Sequence, residues 1–76
     1  MTREGLLWFD NHQGRTLAEK VAGAVKRYKA KFGATPDACY VHPSALVIEG
    51  NLTVGGVPVS PLPTVLKDHF WMVEEV

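Results

Sequence analysis

Leu6-Leu7-Trp8-Phe9, then Asp10-Asn11-His12, then a helix-patterned segment from Thr16 to Gly33, then Ala38-Cys39-Tyr40-Val41 ending at His42-Pro43: residues 6 to 42 read as one β-α-β unit. The predicted strand over residues 6–10 carries Leu6, Trp8 and Asp10 on one face and Leu7 and Phe9 on the other. Apolar side chains on both faces predict a strand that is covered twice or buried in an oligomer. A connection through a helix predicts that this strand and the one over residues 38–42 run parallel, with a right-handed crossover.

The helix is marked at both ends and predicted over 17–32. Thr16-Leu17-Ala18-Glu19 has the capping-box pattern, in which the threonine hydroxyl accepts from an early N–H and the glutamate reaches back to the cap. Gly33 suits the left-handed residue that ends a helix, and Pro36 blocks continuation. Leu17, Val21, Ala24, Val25, Tyr28 and Phe32 recur at spacings of three and four, which places them in one apolar stripe. Such a stripe covers one face of a small sheet.

The second half reads as β-rich. Leu46-Val47-Ile48 suits either a short strand or a helical turn started by Ser44, and its β-branched content leans toward the strand. Leu52-Thr53-Val54, Gly55-Gly56 and Val57-Pro58-Val59 form a hairpin pattern with a two-residue turn. Pro58 has no N–H to give a ladder, so its strand is expected at an edge or with a bulge. His69 to Glu74 is the final strand, with Phe70 and Trp71 on opposite faces. The expected fold is α+β: the β-α-β unit, a hairpin and a C-terminal strand in one small mixed sheet packed on a single helix, with residues 1–76 as one domain.

Composition narrows the function classes. A chain of 76 residues buries only about 60% of its unfolded surface, so self-association is a natural source of further stability. Cys39 is the only cysteine, which excludes an internal disulfide and a cysteine zinc cluster and suggests a reducing, cytoplasmic setting. Its place within an apolar strand reads as core rather than as a nucleophile. No apolar run approaches the roughly 20 residues needed to span a membrane, and the first five residues lack a signal-peptide core. Net charge is zero but unevenly spread: residues 15 to 31 hold six basic residues against Glu19 alone, net +5, and the remainder is therefore −5.

Three sets of residues are candidates for function. Asp10, His12 and His42 follow the two strand ends and are chemically able to hold a divalent metal, with Ser44 and the Gly14-Arg15 turn nearby as an alternative anion site. Against this, Asp10-Asn11-His12-Gln13-Gly14 is also an ordinary polar turn, and no ligand spacing matches a known signature; no cofactor is required. His69 is placed to join this cluster or to serve as a capping or interfacial side chain. Lys20, Arg27 and Lys31 line one side of the helix and suit phosphate contacts, with Trp8, Trp71 or Tyr40 as stacking platforms. The near-neutral pI and acidic remainder weigh against nucleic acid as the partner. Val57, Val59, Phe70 and Trp71, on the hairpin and the last strand, are the candidate interface, and a homo-oligomer, a dimer first, is the expected state, with a larger protein as the other partner.

Pro36-Asp37-Ala38-Cys39-Tyr40-Val41-His42-Pro43-Ser44, then Val54-Gly55-Gly56-Val57-Pro58-Val59, then Asp68-His69-Phe70-Trp71-Met72-Val73 resembles the end of the axial domain in tailed-phage major capsid proteins and encapsulins. There a helix leads to a strand ending at a proline step, followed by a Gly-x-Pro-Val strand and a return strand. The resemblance spans roughly residues 15 to 73, with Gly56-Val57-Pro58-Val59 its most recognisable part. It implies a phage- or mobile-element-derived interaction domain. The chain lacks the long arm, long helix and extended loop that build a shell. Its sequence therefore points to an association module of unidentified partner, more than to an enzyme.

Overall fold

The computed structural model describes residues 5–46 and 52–74. Among them, β1 (Leu6–Phe9), β2 (Ala38–Val41), β3 (Leu52–Val54), β4 (Val57–Pro61) and β5 (His69–Val73) form one mixed sheet. The helix α1 (Leu17–Phe32) packs on one face of it. The strand order is β1-β5-β2-β4-β3. β1 and β2 run in the same direction, as the β-α-β reading predicts, but they are not neighbours: β5 lies between them and is antiparallel to both. β2 pairs in parallel with β4, and β3 closes the far edge.

The local signals of α1 are all realised. Thr16 Oγ1 accepts from the Glu19 N–H at 3.1 Å, and the Thr16 N–H donates to Glu19 Oε1 at 2.9 Å. Gly33 ends the helix at φ 72°, its N–H donating to the Lys29 carbonyl. A helix of 16 residues is marginal alone, so its stability comes from docking. Val21, Ala24, Val25 and Tyr28 are buried against Cys39, Val41, Val57, Val59, Phe70 and Met72, with Leu6, Trp8, Leu17 and Phe32 packed around them. Each large side chain so buried contributes about 1.5–3 kcal/mol.

The hairpin forms as expected. Gly55 and Gly56 both have positive φ, 58° and 82°, which a two-residue turn of this hand requires. Pro58, however, sits in an interior strand: β4 has β2 on one side and β3 on the other. The turn geometry explains why. With Val54 and Val57 closing the turn, the next pair, Thr53 and Pro58, falls at a non-hydrogen-bonded position, so no N–H is owed to β3. The ladder with β2 begins only at Val59.

Both strands of the β-α-β unit stop one residue earlier than predicted, at Phe9 and Val41. After β2 the chain turns at once into a short 3-10 helix, Pro43–Leu46. Leu46 is thus in a helical turn and not a strand; Val47 and Ile48 lie outside the described residues. Local bonding outweighs β-propensity here: the Ser44 N–H donates to His42 Nδ1 and the Ala45 N–H to the His42 carbonyl. No helix among the described residues is long and apolar enough to cross a membrane.

Candidate functional site

The strand ends do form a cleft, of about 290 Å³. Its polar lining is Lys20 from the first turns of α1, His42 and Ser44 from the turn that follows β2, Lys67 and Asp68 from the turn before β5, and His69 from its start. Leu17, Val41, Ala45 and Phe70 supply the apolar walls. Asp68, the one non-glycine residue with positive φ among those described, turns the chain into β5 at φ 63°. Its carbonyl accepts from the Asp10 N–H at 2.9 Å, which joins the two strand ends.

Hydrogen bonding sets the tautomer of both cleft histidines. His42 Nδ1 accepts the Ser44 N–H at 3.1 Å and lies 2.8 Å from the Ser44 hydroxyl, so the neutral ring carries its proton on Nε2. His69 Nδ1 lies 2.8 Å from the Lys67 carbonyl, which can only accept, so this ring carries its proton on Nδ1 and has Nε2 as an acceptor. The ring of His69 also packs against Phe9, with centroids 5.0 Å apart.

The cleft differs from the predicted cluster in membership. His42 and Ser44 line it, and His69 joins them; Asp10 and His12 do not. Asp10 Oδ1 accepts from the His12 N–H at 2.9 Å, and His12 Nδ1 accepts from the Gly14 N–H at 3.1 Å. Both side chains thereby stitch their own turn. Among the described residues no three His, Cys, Asp or Glu side chains are grouped to hold a metal ion. In the Gly14-Arg15 turn expected to hold an anion, the Gly14 N–H is already taken by His12 Nδ1. Cys39 is fully buried, and burial pushes its thiol pKa up to about 12, so it is core and not a nucleophile.

The second site is the sheet face opposite α1. β1 exposes Leu7 at 57% and Phe9 at 53% there, and Leu66 on the 62–68 loop is 69% exposed. Leu7 and Leu66, with Trp71 and the half-covered His69, line an apolar hollow of about 350 Å³. Of the predicted interface residues only Trp71 belongs to this face. Val57, Val59 and Phe70 are buried in the core beneath α1, because strand alternation turns them toward the helix. The sequence already carried the missing signal, apolar residues on both faces of β1.

The basic flank of α1 is divided. Lys20 lines the strand-end cleft. Arg27 sits over the Trp8 ring at 5.2 Å and Lys31 lies 5.3 Å from the Phe32 ring, both beside a separate hollow formed with Leu6 and Ala30. No family model matches the chain, and no curated protein or solved structure matches it significantly.

Proposed function

We propose that this chain is an association module that pairs with a second copy of itself through β1 and the sheet face around Leu7 and Phe9. The observation that carries this is the character of β1. It is an edge strand of four large uncharged residues, two of them more than half exposed on the uncovered face. Edge strands are ordinarily blunted by charge, proline or a bulge, and β1 has none of these. The other edge, β3, is only three residues long. Antiparallel pairing of β1 with β1 is self-complementary, as a two-fold interface requires. It would extend the sheet across both copies and bring the exposed Leu7, Phe9 and Leu66 of each toward shared cover. Arg27 and Lys31 lie on the helix side of β1, beside Leu6 and Trp8, and not on the uncovered face.

The single buried cysteine is in keeping with a cytoplasmic setting. The resemblance of residues 15–73 to the axial-domain end adds the expectation of a phage- or mobile-element origin.

Size-exclusion chromatography with light scattering tests the proposal. The wild type should run as a dimer at micromolar concentration, and Phe9→Lys, an exposed substitution, should run as a folded monomer by circular dichroism. A wild type that stays monomeric, or a Phe9→Lys variant that stays dimeric, overturns it; in the first case a different protein partner becomes the occupant of this face.

A further inference from the structure

We infer that the strand-end cleft is a binding site for a small phosphate monoester with a compact apolar body. Two lysines, Lys20 and Lys67, line it from different elements, α1 and the turn before β5. His42 adds a third donor, because the Ser44 N–H given to Nδ1 leaves the proton of the neutral ring on Nε2. Donors converging from separate elements match a head group that has several oxygens and two negative charges, which a carboxylate lacks. Asp68 is the one carboxylate in the lining, so the cationic groups still outnumber it with both imidazoles neutral. Asp68 supplies a complementary acceptor, suited to a hydroxyl or a protonated phosphate oxygen. Leu17, Val41, Ala45 and Phe70 form the walls against which an apolar body packs. A cleft of about 290 Å³ lies at the small end of ligand sites, which limits the body to about one ring. It lies where the end of β2 meets the start of its antiparallel neighbour β5, beside the first turns of α1. The two sites share His69, which packs on Phe9 of the proposed dimer face, whereas Lys20, His42 and Lys67 line only the cleft, so its anion-binding side does not depend on the dimer.

Titration of the labelled protein with phenyl phosphate, followed by amide and imidazole NMR shifts, provides the test. The wild type should show saturable shifts centred on Lys20, His42, Ser44 and residues 67–70, with a Kd of roughly 1 mM or tighter. Lys20→Ala with Lys67→Ala, both exposed substitutions, should weaken binding by about tenfold or more while leaving the spectrum of the core unchanged. Inorganic phosphate should bind at the same residues but more weakly, and benzyl alcohol should not bind. Shifts spread over Lys26, Arg27 and Lys31, affinity unchanged in the double variant, equal binding of benzyl alcohol, or equal binding of benzoate would each overturn the assignment.

Discussion

The indole of Trp71 lies across Gly5: a Cβ placed on Gly5 would come 2.6 Å from Trp71 Cη2 and 2.7 Å from the Met72 carbonyl oxygen. The carbonyl belongs to the β1–β5 ladder and cannot swing away as a side chain can. Gly5 is therefore a matter of close approach, and it sets how Trp71 lies on the uncovered face. Gly5→Ala is expected to cost about 1–3 kcal/mol, lowering Tm by about 4–8 °C per kcal/mol in a domain of this size. Thermal unfolding measures the loss, and a changed near-ultraviolet tryptophan signal should accompany it. An unchanged Tm would show that the strand and ring relax without cost.

Tyr28 is fully buried on α1, and its hydroxyl donates to Glu74 Oε1 at 3.3 Å. Tyr28→Phe keeps the ring and removes the hydroxyl, so a loss of about 1 kcal/mol is expected. Tyr28→Ala removes a ring from the centre of the core and should cost about 3–5 kcal/mol, enough to unfold a marginal domain. Urea denaturation of the two variants separates the contributions.

The Thr16 backbone and side-chain hydrogen bonds hold the Glu19 carboxyl below its ordinary value of 4.5. A lowered folded-state pKa means that the associated stability is present above the unfolded value and is lost as pH falls through the folded one. Thr16→Ala keeps the larger, backbone contribution and removes the side-chain one, so it should raise the Glu19 pKa only part of the way toward its ordinary value, and it should cost about 1 kcal/mol at neutral pH through loss of the cap. Carboxyl titration by NMR reads the first effect and denaturation the second; a Glu19 titration identical in the two proteins would contradict the assignment.

Cys39 should resist thiol reagents in the folded state, since burial both raises its pKa and blocks access. Its labelling rate with a disulfide reagent is expected to track the population of unfolded chain and to rise with urea in step with unfolding. Fast, stoichiometric labelling in buffer would show that β2 opens to solvent.

Asp68 occupies a left-handed backbone position at the rim of the cleft. Asp68→Asn should be nearly neutral for stability, because asparagine accepts this conformation, whereas Asp68→Val should cost about 1–2 kcal/mol. Comparing their Tm values isolates the backbone contribution from that of the charge, which both substitutions remove.

The β-α-β unit could be read from sequence because its signals are short-range. The Thr16–Glu19 box spans three residues, Gly33 bonds back to Lys29, and the stripe from Leu17 to Phe32 needs only the helical period. The Gly55-Gly56 turn is equally local. The 3-10 turn after β2 was harder, because the histidine side chain that starts it, His42, is not among the usual capping residues.

Membership of the two sites lay beyond local reading. Asp10 and His12 looked like partners of His42, yet neither lines the cleft, and each accepts from a backbone N–H two residues on in its own turn. Lys67 and Asp68 gave no motif, and they reach the cleft because β5 starts there. Val57, Val59 and Phe70 suggested an interface because Pro58 suggested an edge, but the hairpin register removes that proline's penalty and lets β4 sit inside the sheet.

Sequence by itself determined the helix and its caps, the hairpin turn and the two-sided apolar character of β1, all of them consequences of bonding or periodicity within a few residues. Only the tertiary structure decided that β5 inserts between β1 and β2, which leaves β1 at the edge with Leu7 and Phe9 uncovered and carries Lys67, Asp68 and His69 to His42. The physical reason is that strand order is settled by competition among distant pairings for one helix-covered face, and no single segment encodes the outcome of that competition.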